Sequence, residues 1–134
     1  MKKILYLLSI SFCLNAISHQ NWTAEKFSQE MAHLPTPLPD RVVLTWNDNP
    51  ATTQSVNWRT DISVKKGFAQ LAIANANGRT LKPIKFNAET VYFKSDINEA
   101  HYHNVTFRNL KEDTLYAYRV GDGVNWTEHH HLRT

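Results

Sequence analysis

The chain has 134 residues, with 15 Lys and Arg against 12 Asp and Glu, seven histidines and a single cysteine. That length holds one domain at most, and the small charge excess leaves no basic footprint for a nucleic-acid partner. One cysteine excludes an internal disulfide, so a packed core must hold the fold.

The amino terminus predicts export. Met1-Lys2-Lys3 is basic, Ile4 to Leu14 is an almost unbroken apolar run, and Ala16-Ile17-Ser18 sets small residues where a signal peptidase reads. Residues 1–18 are therefore expected to be a bacterial-type signal peptide cleaved after Ser18, leaving a periplasmic or extracellular protein. The apolar run is too short to span a bilayer, so no transmembrane anchor is expected. Cys13 departs with the signal, and the bulky Phe12 before it breaks the pattern of a lipid-modified cysteine. Lys2 and Lys3 depart too, which brings the mature chain close to neutrality. Asn21-Trp-Thr, Asn104-Val-Thr and Asn125-Trp-Thr match the glycosylation triplet, but the bacterial-type signal favours unmodified asparagines.

Residues 19–39 read as a lead-in. Thr23 is placed to cap a short helix from Ala24 to His33, with Ala24, Phe27 and Met31 along one face. Pro35, Pro37 and Pro39 then alternate, which forbids helix and favours an extended segment. The globular domain is expected over residues 40–134.

Every signal in that domain is β. Val42, Leu44 and Trp46 alternate with Val43 and Thr45, and Asn47-Asp48-Asn49-Pro50 makes a turn. Val56, Trp58 and Thr60 alternate with Ser55, Asn57 and Arg59, predicting a second strand with one wet face. A third strand spans Gly67 to Ala74, and Asn77-Gly78 predicts a tight hairpin. Leu81 to Phe86 contains Pro83, which cannot donate to a ladder, so it reads as an edge strand. Val91 with Phe93, and Val105 with Phe107, mark two more.

Leu110-Lys-Glu-Asp-Thr114-Leu-Tyr116-Ala-Tyr118-Arg-Val120-Gly-Asp-Gly123 carries the most information. Alternation puts Tyr116, Tyr118 and Val120 on one face, and two aromatics with an aliphatic make a core face. A Tyr at the start of a strand, just past a polar corner, sends its hydroxyl back to the corner backbone. This is the tyrosine corner of Greek-key sandwiches. Gly121-Asp122-Gly123 supplies a hairpin turn, and a closing strand through Leu132 follows. About seven strands result, as in an immunoglobulin or fibronectin type III sandwich.

Candidate chemistry is sparse. His101-x-His103 and His129-x-His131 each set two imidazoles on one strand face, a spacing that metal ligands use. The competing reading is structural: His129 and His131 share a solvent face with Arg133, His103 shares a face with Val105 and Phe107, and the two pairs belong to different sheets. Asp122 reads as a turn residue and not a metal ligand. Nucleophile elbows, phosphate-cradling glycine loops and helical His-Glu pairs are missing from the sequence. No catalytic, cofactor-binding or metal-binding residue is therefore assigned. Trp46 and Trp58 are expected in the core; Trp126 is a candidate for an exposed carbohydrate platform.

Pro39-Asp-Arg-Val-Val-Leu44, Ser55-Val-Asn-Trp58-Arg-Thr60, His103-Asn-Val-Thr-Phe-Arg-Asn-Leu110, the Thr114 to Gly123 run and Trp126-Thr127 together resemble the amino-terminal domain of purple acid phosphatases. The resemblance covers about Pro35 to Thr134. In that family the sandwich precedes a metallophosphoesterase domain that holds iron with iron, zinc or manganese and hydrolyses phosphate monoesters at acidic pH. The family's metal ligands lie in that second domain, so no ligand carries over to a position here. The resemblance implies an inactive accessory domain whose partner is the catalytic domain, with some self-association through uncovered surface. A free-standing exported module that recognises a glycan or protein is the alternative, ahead of an independent metal hydrolase built on the histidine pairs.

Overall fold

The computed structural model describes residues 29–134. The expected signal peptide, Thr23 and the first part of the predicted helix lie outside the described residues. What is described of that helix is a single turn, α1 (Gln29–Ala32). The proline-containing segment after it has no regular structure but is tied to the domain. The His33 carbonyl accepts hydrogen bonds from Arg59 Nη1 and Asn98 Nδ2, and the Thr36 carbonyl accepts one from the Asp61 amide.

Eight strands follow, where about seven were expected. They are β1 (Asp40–Thr45), β2 (Gln54–Thr60), β3 (Phe68–Ile73), β4 (Ile84–Asn87), β5 (Glu89–Lys94), β6 (Glu99–Phe107), β7 (Leu115–Gly121) and β8 (His130–Arg133). One sheet has the order β1-β2-β6-β5 and the other β4-β3-β7-β8, and every pairing is antiparallel. Only Ala88 separates β4 from β5, so a single residue carries the chain from the edge of one sheet to the edge of the other. Pro83 stands just outside β4, at an edge where its missing amide costs no ladder bond.

The inner faces follow the alternation. Val56, Trp58, Val105 and Phe107 from the first sheet meet Ala69, Leu71, Tyr116, Tyr118, Val120 and Leu132 from the second, and Leu110 joins them from the corner after β6. Phe107 links the layers, its ring centroid 6.3 Å from Tyr118 and 5.1 Å from Phe86. Such offset and edge-on ring pairs add to the burial itself.

The tyrosine corner forms as the sequence predicts. Tyr116 Oη accepts the Lys111 amide at 2.8 Å, and Leu110 donates its own amide to the Thr52 carbonyl. Thr134 completes the knot, its hydroxyl accepting from the Thr114 amide and donating to the Lys111 carbonyl at 2.6 Å. Asn109 and Asp113 take positive φ angles of 56° and 47° there, a conformation that Asn and Asp tolerate better than other side chains.

Three expectations need correction. Trp46 is 72% exposed: β1 is an edge strand that ends at Thr45, and beyond that the chain turns where no facing sheet covers the ring. Asn77-Gly78 does not make a two-residue hairpin. The Asn75 side chain accepts the Asn77 amide, Asn77 accepts that of Arg79, and one turn of 3-10 helix (Gly78–Thr80) forms inside a longer connection. The polar face of β2 is not wet, because β2 lies between β1 and β6 and both neighbours wall it in. Ser55 bonds Thr106, Asn57 bonds Asn104, and Arg59, only 3% exposed, pairs with Asp40.

That last pair depends on a bulge. Val43 lies opposite Asn57, yet the residue opposite Arg59 is Asp40, so β1 carries one extra residue between them. Without it, strict register sets Arg41 against Arg59, two like charges directly opposed. The bulge replaces that repulsion with a carboxylate on the guanidinium, at the cost of a positive φ of 49° at Arg41.

Candidate functional site

β6 sets both His101 and His103 on the inner face of the first sheet. His103 stacks on Trp58, with centroids 5.2 Å apart and an interplanar angle of 26°. Its Nε2 lies 2.8 Å from Thr60 Oγ1 and its Nδ1 2.9 Å from Thr90 Oγ1. Thr60 donates its hydroxyl proton to the Asp61 carbonyl, so its oxygen accepts from His103 Nε2–H, and Nδ1 accepts from Thr90. The chain of donors closes on a neutral imidazole in one tautomer. Gly67 is pressed against this stack: a Cβ there would stand 2.6 Å from His103 Nδ1 and 2.8 Å from the Trp58 ring. Burial, reinforced by the nearby His101, lowers the His103 pKa to about 4.

His101 is committed elsewhere. It donates Nδ1–H to the Val64 carbonyl at 2.8 Å and stands edge-on to Tyr92. Both imidazoles thus brace the sheet, as their shared face with Val105 and Phe107 indicates, and both nitrogens of His103 are used.

The second pair is on the other sheet. His129 and His131 are exposed beside Arg133, while Leu132 points into the core and the His130 ring lies 5.3 Å from that of Tyr118. Partial burial and the Arg119 guanidinium hold His129 below the ordinary imidazole value. The sandwich keeps the two pairs apart, and among the described residues no three His, Cys, Asp or Glu side chains gather as a metal site. The described residues do not fit a dimetal centre.

Asp122 is a turn residue. Its Oδ1 accepts the amides of Val124 and Asn125 at 2.8 and 2.6 Å, its Oδ2 accepts Asn125 Nδ2, and Gly123 beside it takes a φ of 98°. Burial raises its pKa, but these hydrogen bonds outweigh that and the net shift is downward. The carboxylate is spent on the backbone. Trp126 is half-buried and carries the Arg119 guanidinium 4.9 Å above its ring, so one face of the platform is already covered.

What the sequence reading missed is an apolar surface. Val91, Tyr92 and Phe93 are consecutive on β5, all more than half exposed, with Ile97 in the adjoining turn and Tyr102 alongside. Phe93 meets Tyr102 edge-on at 6.0 Å. In the sequence Val91 and Phe93 read only as strand formers; that β5 is an edge with both faces open depends on pairings far apart in sequence.

The sheet order, the bulged first strand and the tyrosine corner define an all-β sandwich of the immunoglobulin and fibronectin type III kind. The chain belongs to the family described as "Purple acid Phosphatase, N-terminal domain", which it matches over residues 39–134. Among solved structures it is similar to the fibronectin domain of human contactin 1 (15% identity, 75% of this chain and 78% of that one, TM-score 0.48). It is also similar to the third fibronectin III domain of the human KIAA0343 protein (15% identity, 75% and 83%, TM-score 0.47). No curated protein matches the chain.

Proposed function

We propose that this chain is the accessory domain of a purple-acid-phosphatase-like metallophosphoesterase, exported behind a signal peptide over residues 1–18, with the catalytic half supplied from outside these 134 residues. The family match over residues 39–134 carries this reading. The uncovered apolar side chains on β5 support it, since a patch of this kind is the usual mark of a surface built to be covered. In the full enzyme two metals activate water and neutralise the phosphoryl group; that chemistry belongs to the catalytic half.

Two measurements test the proposal. The purified chain, given p-nitrophenyl phosphate with iron, zinc or manganese, is expected to show no turnover, and turnover that follows the protein would overturn it. The DNA after codon 134 is expected to encode Gly-Asp-x-x-Tyr and Gly-Asn-His-Glu in some frame, and unrelated sequence counts against it. The exposure of Trp46 favours a second reading, a free-standing module that binds a glycan or protein. Unrelated downstream sequence together with glycan-array binding lost in Trp46→Ala would move the assignment there.

A further inference from the structure

Between the end of β3, the start of β4 and the corner after β6 lies an open cavity of about 640 Å³. Its floor is apolar, made by Leu71, Ile73, Ile84, Phe86, Leu110 and Tyr116. Ile73 follows Ala69 and Leu71 at inner-face parity, and Ile84 pairs with Leu71 and shares that face. Both are inner-face residues, yet Ile73 is 62% and Ile84 65% exposed. Here the two layers part, and the core opens to solvent.

The charged lining is cationic. Lys82 and Arg108 are among the lining residues, Asn75 and Asn109 add amides, and no carboxylate lines the cavity. Arg108 makes one contact outside the cavity, a 3.1 Å bond to Asp48 with both side chains more than half exposed, a pairing of small worth that leaves most of its donors free. A volume in this range, an apolar lining and a few convergent polar groups describe a small-molecule site.

We propose that this cavity binds an amphipathic organic anion, its aliphatic or aromatic body on the isoleucine floor and its carboxylate or phosphate head between Lys82 and Arg108. The exposed isoleucines supply affinity by burial of apolar surface. The two cations, with no opposing carboxylate in the lining, select the sign of the head.

Titration of the isotope-labelled chain with decanoate, followed by amide NMR, tests this. Saturable shifts are expected at Ile73, Lys82, Ile84 and Asn109. Decanol is expected to bind at least about tenfold more weakly, the value of one hydrogen bond to a charged group. Decyl phosphate against decanoate separates the two heads. Lys82→Gln with Arg108→Gln is expected to bring decanoate down to the decanol level while leaving decanol unchanged, which also shows that the variant is folded. Equal binding of decanoate and decanol to the wild-type chain overturns the proposal, as do shifts scattered outside the cavity. Shifts of the same amides on dilution without ligand also overturn it, because a second copy of the chain then fills the cavity.

Discussion

Tyr116 and His103 show how single polar atoms specify this sandwich. The Tyr116 hydroxyl is the partner of the Lys111 amide, and removing an acceptor from a partly buried donor costs more than the bond itself contributes. Tyr116→Phe is therefore expected to lower stability by about 1–2 kcal/mol in urea denaturation; a change of only a few tenths would show that water replaces the hydroxyl. His103 makes a different prediction, in pH. Its pKa is about 4 when folded, against an ordinary 6.5. Between those values the unfolded chain binds more protons, so stability rises with pH. This contribution is complete above about pH 6.5 and is lost as the pH falls towards 4, about 3 kcal/mol in all. Carboxylates titrate in part of the same window, so the measurement is the difference between the urea-midpoint curves of the wild-type chain and His103→Gln. That difference should change steadily between pH 7 and 4.5, and parallel curves would remove His103 as the cause.

The β1 bulge connects sequence to element. Asp40→Ala leaves the buried Arg59 guanidinium without its counter-charge and is expected to cost about 2 kcal/mol, less than a fully buried pair because Asp40 is itself partly solvated. Arg41→Gly removes the penalty of a positive φ on a side-chain-bearing residue and is expected to gain about 0.5 kcal/mol, the relief exceeding the added flexibility of the unfolded chain. Denaturation of both variants measures this, and destabilisation by Arg41→Gly would mean that the Arg41 side chain contributes contacts worth more than the strain. No run of residues around Asp40 announces that bulge; it exists because Arg59, on another strand, would otherwise oppose Arg41. The same limit explains the other departures. Tyr116, Tyr118 and Val120 were legible as core because their alternation and corner are local. Trp46 has the parity of Leu44 but falls after the last paired residue of an edge strand, and Ser55, Asn57 and Arg59 look solvated until β1 and β6 are known to flank them. His103 could be placed on its face from the sequence, but its two threonine partners come from β2 and β5. The cavity was not legible at all, since nothing local to Ile73 or Ile84 shows that the layers part above them.

At the scale of the whole molecule, two edges stand on one side of the sandwich, β4 and β5, and they are unequally protected. β4 has Pro83 at its start and Lys85 on its outer face, devices that discourage pairing with another chain. β5 has three consecutive exposed apolar residues, and its one lysine, Lys94, is occupied by Glu99 at 2.9 Å. An unprotected apolar edge either meets its proper partner or meets another copy of itself. If the catalytic half covers this edge in the full enzyme, the separate chain should self-associate through it. Sedimentation velocity over a range of micromolar concentrations is expected to show a reversible increase in mass for the wild-type chain. Val91→Lys with Phe93→Lys should weaken that association at least about a hundredfold, because each substitution removes roughly 1.5–3 kcal/mol of side-chain burial. A wild-type chain that stays monomeric throughout would mean that β5 is not a docking surface. Self-association that survives the double variant would place the contact elsewhere, and Trp46, an aromatic side chain that is 72% exposed, would be the next residue to replace.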